Sequence, residues 1–385
     1  MKIYLVGGAV RDSLLGEPVT ERDWVVVGST PETLLKLGYE QVGKDFPVFL
    51  HPQTHEEYAL ARTERKTGKG YSGFECHASP DVTLIEDLKR RDLTINAIAK
   101  AENGALIDPF NGQEDLDNGL LRHVSPAFQE DPVRILRIAR FAARFAHRGF
   151  KVAHDTHALM KKMVTNGEVD ALVPERVWKE CERALKLPNP ERFFEVLYRC
   201  GALSRIFPEL AGLFPETVAS SHDKQNQGSA EIAALERLKV ATALYPEAEK
   251  CSLIRFAALL QPLSENVLKQ LLKRMKIPNE YAELSRLIIV HYPACCQYPV
   301  NTASDLLSLL QNLDAFRRPQ RFALFLDICC AILGEMNPDC VQQLQQAQAL
   351  ASQVEAKQFV AQGLRGGEIK QALFAARQEV LKNLL

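Results

Sequence analysis

Apolar and polar positions divide the chain into two parts. Up to about residue 121, short apolar runs of strand length alternate with amphipathic segments, which predicts an α/β region. From about Pro126 onward the apolar positions recur at helical spacing, and no strong strand pattern remains. The pattern therefore predicts an α+β protein with an N-terminal α/β head and an all-helical remainder.

The individual elements follow from these runs. The predicted strands are Ile3–Val6, Trp24–Val27, Val48–His51, Glu57–Ala61 and Ile95–Ala99. The predicted helices are Ala9–Leu15, Pro31–Leu37 and Thr83–Lys89, with later helices near 130–148, 154–164, 174–187 and 190–200. The polar stretch 216–229 predicts a linker or loop.

A glycine turn and two carboxylates flank the first predicted helix. Gly7 and Gly8 end the first strand, and Glu21 and Asp23 lead into the second. Because residues two apart on a strand point to the same face, we expect the two carboxylates to project together. Such a pair suits Mg²⁺, which takes one or two protein carboxylates plus substrate phosphates, and a Gly-Gly turn lets backbone N–H groups approach a triphosphate. Each feature alone also occurs in plain turns and on solvated strand faces.

A row of arginines marks the predicted helix near 130–148. At about 100° per residue, five arginines fall within a stripe roughly 120° wide. They are Arg134, Arg137, Arg140, Arg144 and Arg148. A merely solvated face would mix lysine and glutamate into the stripe, so its composition favours a surface that binds anions.

Composition narrows the class of protein. The chain has 385 residues, a net charge of −1 and nine cysteines without a CxxC pair, which predicts free thiols in a reducing compartment. No apolar run of about 18 residues and no signal-peptide pattern occurs, so a cytoplasmic protein without a membrane partner is expected. Near-neutral charge still allows RNA binding through a local stripe.

Three strings of residues carry a family resemblance. The order strand, Gly-Gly, helix, acid-x-Asp resembles the DNA polymerase beta-like nucleotidyltransferase superfamily. The strings GGAVRD at 7–12 and RDWVVVG at 22–28 resemble the bacterial class II CCA-adding enzymes (tRNA nucleotidyltransferases), and RRDLTINA at 90–97 resembles both these enzymes and bacterial poly(A) polymerases. The resemblance is nearly continuous over residues 1 to about 210.

The resemblance implies template-independent addition of C, C and A to the 3′ end of tRNA. The substrates would be CTP and ATP with release of pyrophosphate, the cofactor Mg²⁺, and the partner tRNA, bound at its 3′ end and acceptor arm. The implied architecture is a nucleotidyltransferase head with a small mixed sheet at 1–121, a helical neck for base recognition and tRNA binding at 122–214, and a helical body and tail at 215–385.

Site residues carry over with the motifs. Glu21 and Asp23 would be the catalytic carboxylates and the metal ligands, although the family normally has Asp where this chain has Glu21. The implied nucleotide-binding residues are Gly8, Arg11, Arg91, Asp131, Arg134, Arg137 and Arg140. Asp131 and Arg134 lie in an EDxxR string like the family's base-selecting motif.

Supporting roles are assigned to a few neighbours of these motifs. Asp92 is expected to fix an arginine or cap a turn, and Asn96 to order the local fold. Arg176 and Glu180 would brace the base-recognition helix, with Trp178 in the core. Glu57 is read either as a third acid near the metal or as a strand-edge glutamate. The loop 62–73 is read either as an aid to the switch from CTP to ATP or as a surface loop.

The tail resembles a degenerate HD phosphohydrolase domain. Its only His-Asp doublet is His222-Asp223, in the polar stretch, and Ala257–Pro262 stands where relatives have their HD pair. We therefore expect no hydrolase site. The basic-aromatic cluster Phe316–Phe322 is read either as a tRNA contact or as a solvated helix start.

Two other functions compete with CCA addition. One is a poly(A) polymerase or an enzyme adding only A or only C, although such polymerases usually carry a strongly basic C-terminal extension that is not seen here. The other is a catalytically weakened tRNA-binding protein, suggested by Glu21.

Overall fold

The computed structural model describes residues 1–42, 48–66, 74–214, 233–247, 249–297 and 302–384. The chain forms two compact units. The first comprises Met1–Cys181 and Arg192–Ile206, and the second comprises Glu182–Glu191 and Phe207–Leu385. The domain boundaries at residues 121 and 214 stay predictions.

The first unit contains every strand in the described part of the chain. The strands are β1 Lys2–Val6, β2 Asp23–Val27, β3 Glu40–Val42, β4 Val48–Leu50, β5 Glu57–Leu60, β6 Thr63–Lys66, β7 Phe74–His77, β8 Ala99–Ala101, β9 Leu106–Ile107, β10 Leu120–Leu121 and β11 Lys151–Val152. Seven of them form one sheet in the order β3-β4-β5-β2-β1-β8-β9. Its β2–β5 pair is parallel and its other pairs are antiparallel, so the predicted mixed sheet is confirmed.

Helices make up most of the remainder. They are α1 Gly8–Leu14, α2 Pro31–Lys36, α3 Leu84–Lys89, α4 Gly112–Asp117, α5 Val133–Arg144, α6 His154–Thr165, α7 Pro174–Leu185, α8 Glu191–Arg199, α9 Ala202–Ile206, α10 Ala233–Leu244, α11 Cys251–Leu260, α12 Glu265–Met275, α13 Asn279–Tyr292, α14 Ala303–Asn312, α15 Pro319–Leu333, α16 Asp339–Ser352, α17 Ala356–Ala361 and α18 Gly367–Lys382. The predicted α+β class, a mixed sheet followed by helices, is confirmed.

The sheet is covered on both faces because neighbouring residues of a strand point in opposite directions. In β2, Val25 packs in a core with Leu84 and Leu88, the apolar residues of α3. The next residue, Val26, packs in a second core with Leu34 of α2 and residues of β4 and β5. This two-sided packing fixes β2 in the middle of the sheet, and Asp23 stands at the first residue of that strand.

Two predicted elements differ from the structure. The predicted strand Ile95–Ala99 is instead a 3₁₀ turn, Thr94–Asn96, followed by β8. The side chain of Thr94 donates to Asp115 at 2.7 Å, and such local polar bonds compete with strand pairing. The predicted helix near 130–148 is shorter: α5 is flanked by 3₁₀ turns at Pro126–Glu130 and Ala146–Arg148.

Buried α11 is the centre of the second unit. All ten of its residues are buried, and α10, α13 and α15 pack against it. Arg255 in α11 is fully buried and donates to the backbone carbonyls of Leu185, Leu187, Tyr245 and Pro246 at 2.7–3.2 Å. These hydrogen bonds from one buried guanidinium tie several chain segments to the centre of this unit.

Three sequence-based expectations fall partly or wholly outside the described residues. The polar stretch 216–229, with its His222-Asp223 doublet, lies outside them, as do residues 67–73 of the loop 62–73. The first part of that loop is not irregular, because Thr63–Lys66 forms β6 and pairs with β7. Within the described chain, no helix has the length and apolar character needed to cross a membrane.

Candidate active site

Strand register brings the glycine turn and the carboxylates to one end of the sheet. Val6, the last residue of β1, lies opposite Asp23 in the antiparallel β1–β2 pair. Asp23 in turn lies beside Glu57 in the parallel β2–β5 pair. The Gly7 turn therefore emerges next to Asp23, as the sequence pattern predicted.

A cavity of about 420 Å³ opens at this end of the sheet. Its lining residues are Val19, Thr20, Glu21, Arg22, Asp23, His55, Glu56 and Glu57. Strand spacing implied that Glu21 continues the strand of Asp23. In the structure it does not, because β2 begins only at Asp23. The segment before β2 nevertheless brings both carboxylates to the same cavity.

The two carboxylates repel each other electrostatically. Asp23 reaches solvent, but the surrounding protein atoms partly desolvate it. This desolvation raises the pKa of Asp23; the charge of Arg91 opposes the rise, and the charge of Glu21 adds to it. A bound cation would relieve this repulsion, and two hard oxygen donors in one cavity fit Mg²⁺. Among the described residues, no three His, Cys, Asp or Glu side chains are arranged to hold a metal ion, so Glu57 does not complete a three-residue ligand set.

Glu56 fixes the segment that carries these acids. Its carboxylate accepts a hydrogen bond from Trp24 Nε1 at 2.9 Å and pairs with Arg22 at 3.3 Å. The Trp24 ring also stacks on Tyr58 of the neighbouring strand, with centroids 5.6 Å apart. Sequence reasoning missed Glu56, and its one signal was the acidic doublet Glu56-Glu57 at the start of β5.

Gly7 has the most constrained backbone of the glycine turn. Its φ is +68°, and a Cβ at this position would lie 2.8 Å from Arg91 Nη1. A Cβ on Gly8 would meet only Arg11 Nη2, at 3.5 Å. Gly7 is therefore needed both for the turn and for the space that Arg91 occupies, while phosphate binding at Gly8 stays a prediction.

Arg11 lies in the interior behind the turn. It donates to Asp12 Oδ1 at 2.7 and 2.9 Å and to Asn96 Oδ1 at 2.5 Å. Its guanidinium also lies 5.1 Å from the ring centroid of Phe141 and 5.2 Å from that of Phe145, in or beside α5. Only 3% of Arg11 is exposed, and burial lowers its pKa. In this arrangement Arg11 joins the turn to α5, and Asn96 orders the local fold as predicted.

Arg91 reaches toward the turn from the end of α3. It donates to the carbonyl of Asn96 at 3.4 Å and pairs with Asp87 at 3.3 Å. Burial alone would raise the pKa of Asp87, but Arg90 and Arg91 outweigh it and lower that pKa. The fully buried Asp87 therefore stays charged and holds both arginines; sequence reasoning did not single it out.

Asp92 connects the RRDLTINA string to α5. Its Oδ2 accepts from Arg137 Nε at 2.7 Å, and its Oδ1 accepts from the backbone N–H of Leu93 and from Asn96 Nδ2. Burial would raise the pKa of Asp92, but Arg137 and these hydrogen bonds lower it well below its usual range. Asp92 thus fixes an arginine, which is one of its two predicted roles, while the 3₁₀ turn Thr94–Asn96 has no side-chain cap.

Asp131 and Arg134, the predicted base-selecting pair, lie at the start of α5. Asp131 Oδ1 accepts from the Val133 N–H at 3.0 Å, and Asp131 pairs with Arg176 of α7 at 2.9 Å. Arg134 is mostly buried and donates to the carbonyls of Ala127 and Arg90 at 3.1 and 2.6 Å. The structure therefore ties Arg134 to the segment that carries Arg91.

The rest of the arginine stripe also faces protein acids. Arg140 donates to Glu180 at 2.5 Å, Arg144 pairs with Asp12 at 3.0 Å, and Arg148 donates to Glu17 at 2.8 Å. The bracing by Arg176 and Glu180 is confirmed by these contacts with α5, and Trp178 is buried as predicted.

Comparisons with known proteins identify the family. Residues 3–122 match the model of the poly A polymerase head domain. Residues 149–213 match a second model, described as the probable RNA and SrmB-binding site of polymerase A. Residues 3–122 therefore form a nucleotidyltransferase head of the poly(A) polymerase family.

This nucleotidyltransferase is similar to solved CCA-adding enzymes along nearly its whole length. The Bacillus stearothermophilus CCA-adding enzyme in complex with CTP is 25% identical with a TM-score of 0.69, and the match covers 99% of this chain and 89% of that one. The Thermotoga maritima CCA-adding enzyme complexed with tRNA is 21% identical with a TM-score of 0.66, over 100% and 90%. A CCA-adding enzyme in an apo form is 22% identical with a TM-score of 0.71, over 100% and 88%. The resemblance seen in the sequence is confirmed.

Proposed function

We propose that this nucleotidyltransferase adds C, C and A, without a nucleic-acid template, to the 3′ end of tRNA. CTP and ATP are the donors, and pyrophosphate is released. The observation that carries the proposal is the coverage of the likeness: 99% of this chain matches a CCA-adding enzyme that binds CTP. The site adds two carboxylates at a cavity and an Asp-Arg pair at the start of α5.

Glu21 and Asp23 would hold Mg²⁺. The ion supplies charge neutralisation for the triphosphate and lowers the pKa of the attacking 3′-hydroxyl. The protein prepares for this by placing the two acids in one cavity, where repulsion by Glu21 contributes to the raised pKa of Asp23. Arg91 lies close enough to influence the charge of Asp23, so it can bind the phosphates beside that carboxylate.

Asp131 and Arg134 would select the base. Cytosine (at N4) and adenine (at N6) share an exocyclic amine, from which a carboxylate accepts a hydrogen bond, and a neighbouring ring nitrogen, to which a guanidinium donates. Uracil and guanine have a carbonyl oxygen at the corresponding position and would leave the carboxylate unpaired. A carboxylate offers about four acceptor sites, so Asp131 can retain Arg176 and still accept from a base.

Arg137 and Arg140 would contact the triphosphate or ribose. Within the described contacts, Arg137 pairs with Asp92 through Nε, and Arg140 pairs with Glu180 through Nε. Each acid thus orients the Nε edge of the arginine it pairs with. The Nη edge of that arginine can then donate two hydrogen bonds to phosphate oxygens. Gly8 and Arg11 stay candidates for phosphate binding, although Arg11 would first have to leave its buried partners.

Nucleotide incorporation tests the proposal directly. Purified protein is given tRNA lacking CCA, with each labelled nucleotide singly and then all together. We expect CTP alone to add two residues, ATP to follow only after them, and UTP and GTP to be rejected. Repeated addition of A would support the poly(A) polymerase alternative. Failure to incorporate any nucleotide with Mg²⁺ or Mn²⁺ would support the weakened binding protein.

Matched variants test the base-selecting pair. Asp131→Ala should admit UTP, because no carboxylate then demands an exocyclic amine. Asp170→Ala is the control: Asp170 also pairs with an arginine, Arg205, but on an exposed surface of the same unit. Unchanged rejection of UTP by Asp131→Ala would remove Asp131 from base selection.

Variants of the carboxylates test the metal assignment. Glu21→Gln and Asp23→Asn should each lower incorporation on the order of 100-fold or more and weaken Mn²⁺ binding, measured by electron paramagnetic resonance without nucleotide. Glu21→Asp should keep activity and change the ratio of Mg²⁺ to Mn²⁺ activation, since one methylene moves the carboxylate by roughly an ångström. Unaltered Mn²⁺ binding in Glu21→Gln would show that Glu21 is no ligand.

A further inference from the structure

Five cysteines converge in the second unit, whereas every residue assigned to nucleotide transfer belongs to the first unit. Cys295 and Cys296 lie in the π-helical turn Pro293–Gln297 that follows α13, Cys329 and Cys330 lie in α15, and Cys340 lies in the first turn of α16. All five are free thiols. None of the five cysteines lies in a string of residues that carries the family resemblance.

Cys296 is the centre of this group. Its thiol is close enough to those of Cys329 and Cys340 for both to influence its pKa. The side-chain interaction with Cys329 first, and then that with Cys340, lowers the pKa of Cys296, although burial opposes them. Burial raises the pKa of Cys340 to about 12 and raises the pKa of Cys295 as well. Cys296 is therefore the thiol most readily converted to a nucleophilic thiolate.

Only part of the group is accessible to a small molecule. A cavity of about 540 Å³ is lined by Cys295, Cys296 and Cys340 together with Asp339, three glutamines and Leu384. Cys296 and Cys340 are partly exposed, whereas Cys329 is fully buried beneath them. A small oxidant can therefore reach Cys296 and Cys340 without any rearrangement that would expose Cys329.

The backbone also favours one pair. A disulfide needs its two Cα atoms within about 7 Å. The turn that carries Cys296 packs directly against α16, which carries Cys340. In the described residues, no three of these side chains are arranged to hold a metal ion.

We propose that Cys296 and Cys340 form a peroxide-sensitive dithiol site that closes to a disulfide. The Cys296 thiolate attacks one oxygen of a hydroperoxide; a sulfur–oxygen bond forms, the oxygen–oxygen bond breaks, and the departing oxygen takes up the proton released by the Cys296 thiol and leaves as an alcohol or water. The Cys340 thiol then attacks the sulfur of the Cys296 sulfenic acid; a sulfur–sulfur bond forms, the sulfur–oxygen bond breaks, and the hydroxyl leaves as water with the proton of Cys340. Two thiols are oxidised and one hydroperoxide is reduced by two electrons.

Peptide mapping of the full-length protein tests the site. The reduced protein is treated with hydrogen peroxide, its remaining thiols are alkylated, and it is digested with trypsin and a glutamate-specific protease. Cleavage after Glu335 separates Cys340 from Cys329 and Cys330. We expect a linked peptide joining Cys296 to Cys340, while buried Cys200, whose pKa burial raises to about 11, stays alkylatable after unfolding.

Two variants locate the sulfur atoms. Cys295→Ala should keep the link, which assigns it to Cys296 within the adjacent doublet. Cys340→Ser should stop the reaction at the sulfenic acid, which dimedone then traps on Cys296. The wild-type mapping needs no variant, so a poorly folding variant leaves the test intact. A Cys296–Cys329 link, labelling spread evenly over all thiols, or no link at peroxide levels that oxidise free cysteine would overturn the proposal.

Discussion

Gly7→Ala separates backbone strain from displacement of an active-site arginine. Gly7 has a φ of +68° and a ψ of −127°, a conformation outside the left-handed helical region that costs an L-residue on the order of 1–3 kcal/mol. Its added Cβ would also lie 2.8 Å from Arg91 Nη1, so that the guanidinium must move by about 0.6 Å to reach ordinary contact at 3.4 Å. Because Nη1 is the end of a flexible side chain, this movement costs little stability, but it takes Arg91 out of its place beside Asp23.

Gly16→Ala is the matched control. Gly16 has almost the same φ, +69°, and nothing lies within 4 Å of its added Cβ. Gly16→Ala should lose about 1–2 kcal/mol of unfolding free energy, and Gly7→Ala on the order of 1–3 kcal/mol. Only Gly7→Ala should also lose activity, by roughly 10- to 100-fold in kcat/KM for CTP, which is the usual effect of misplacing a binding group by about an ångström.

The assay is incorporation of labelled CTP into tRNA lacking CCA, beside urea unfolding of the same preparations. Equal loss of activity in the two variants would show that strain and not Arg91 is responsible. Wild-type activity in Gly7→Ala would refute the placement of Arg91 in the nucleotide site.

Two further predictions concern buried charges. Asp92 has a lowered pKa because Arg137 and its hydrogen bonds outweigh burial, so the charged carboxylate stabilises the fold above the ordinary carboxyl pKa near 4. This stabilisation is lost as the pH falls below that value. Asp92→Asn should lower the unfolding free energy by about 1.5–3 kcal/mol at pH 7, and unfolding measured against pH should then show a smaller loss of stability in acid. Arg255→Met should destabilise the second unit by about 3–5 kcal/mol in thermal unfolding, because four carbonyls lose their donor in the interior; Arg255→Lys should recover only part, since an ammonium cannot match the guanidinium fork.

Much of the head could be predicted because its signals are local. The apolar runs that became β1, β2 and β5 and the Gly-Gly turn between strand and helix are read directly from neighbouring residues. The strand predicted at Ile95–Ala99 was wrong because apolar character cannot reveal that Thr94 and Asn96 find partners in Asp115 and Asp92. Those partners are fixed only when distant segments meet.

The sequence predicted which residue types form the candidate site, but it did not predict which acids pair with which arginines. The sequence indicated an arginine stripe, but not that the acids holding it would come from so far along the chain. Asp12 reaches Arg144, Asp92 reaches Arg137, and neither contact has a sequence signal beyond the charge itself. Strand spacing likewise placed Glu21 on β2, whereas only folding of the segment before the strand brings it beside Asp23.

The pairing of the stripe explains how so many arginines fit into a nearly neutral protein. Unpaired guanidiniums this close together would repel one another, and the partly buried ones would lack hydrogen-bond acceptors. Asp92 accepts from Nε of Arg137, and Glu180 accepts from Nε of Arg140. These acids reduce the repulsion and supply the missing acceptors, and they leave the Nη edge of each guanidinium for a ligand. A triphosphate can then join an existing ion pair instead of breaking it, so the arginines stay oriented between turnovers, and the reorganisation that each new nucleotide would otherwise require is small.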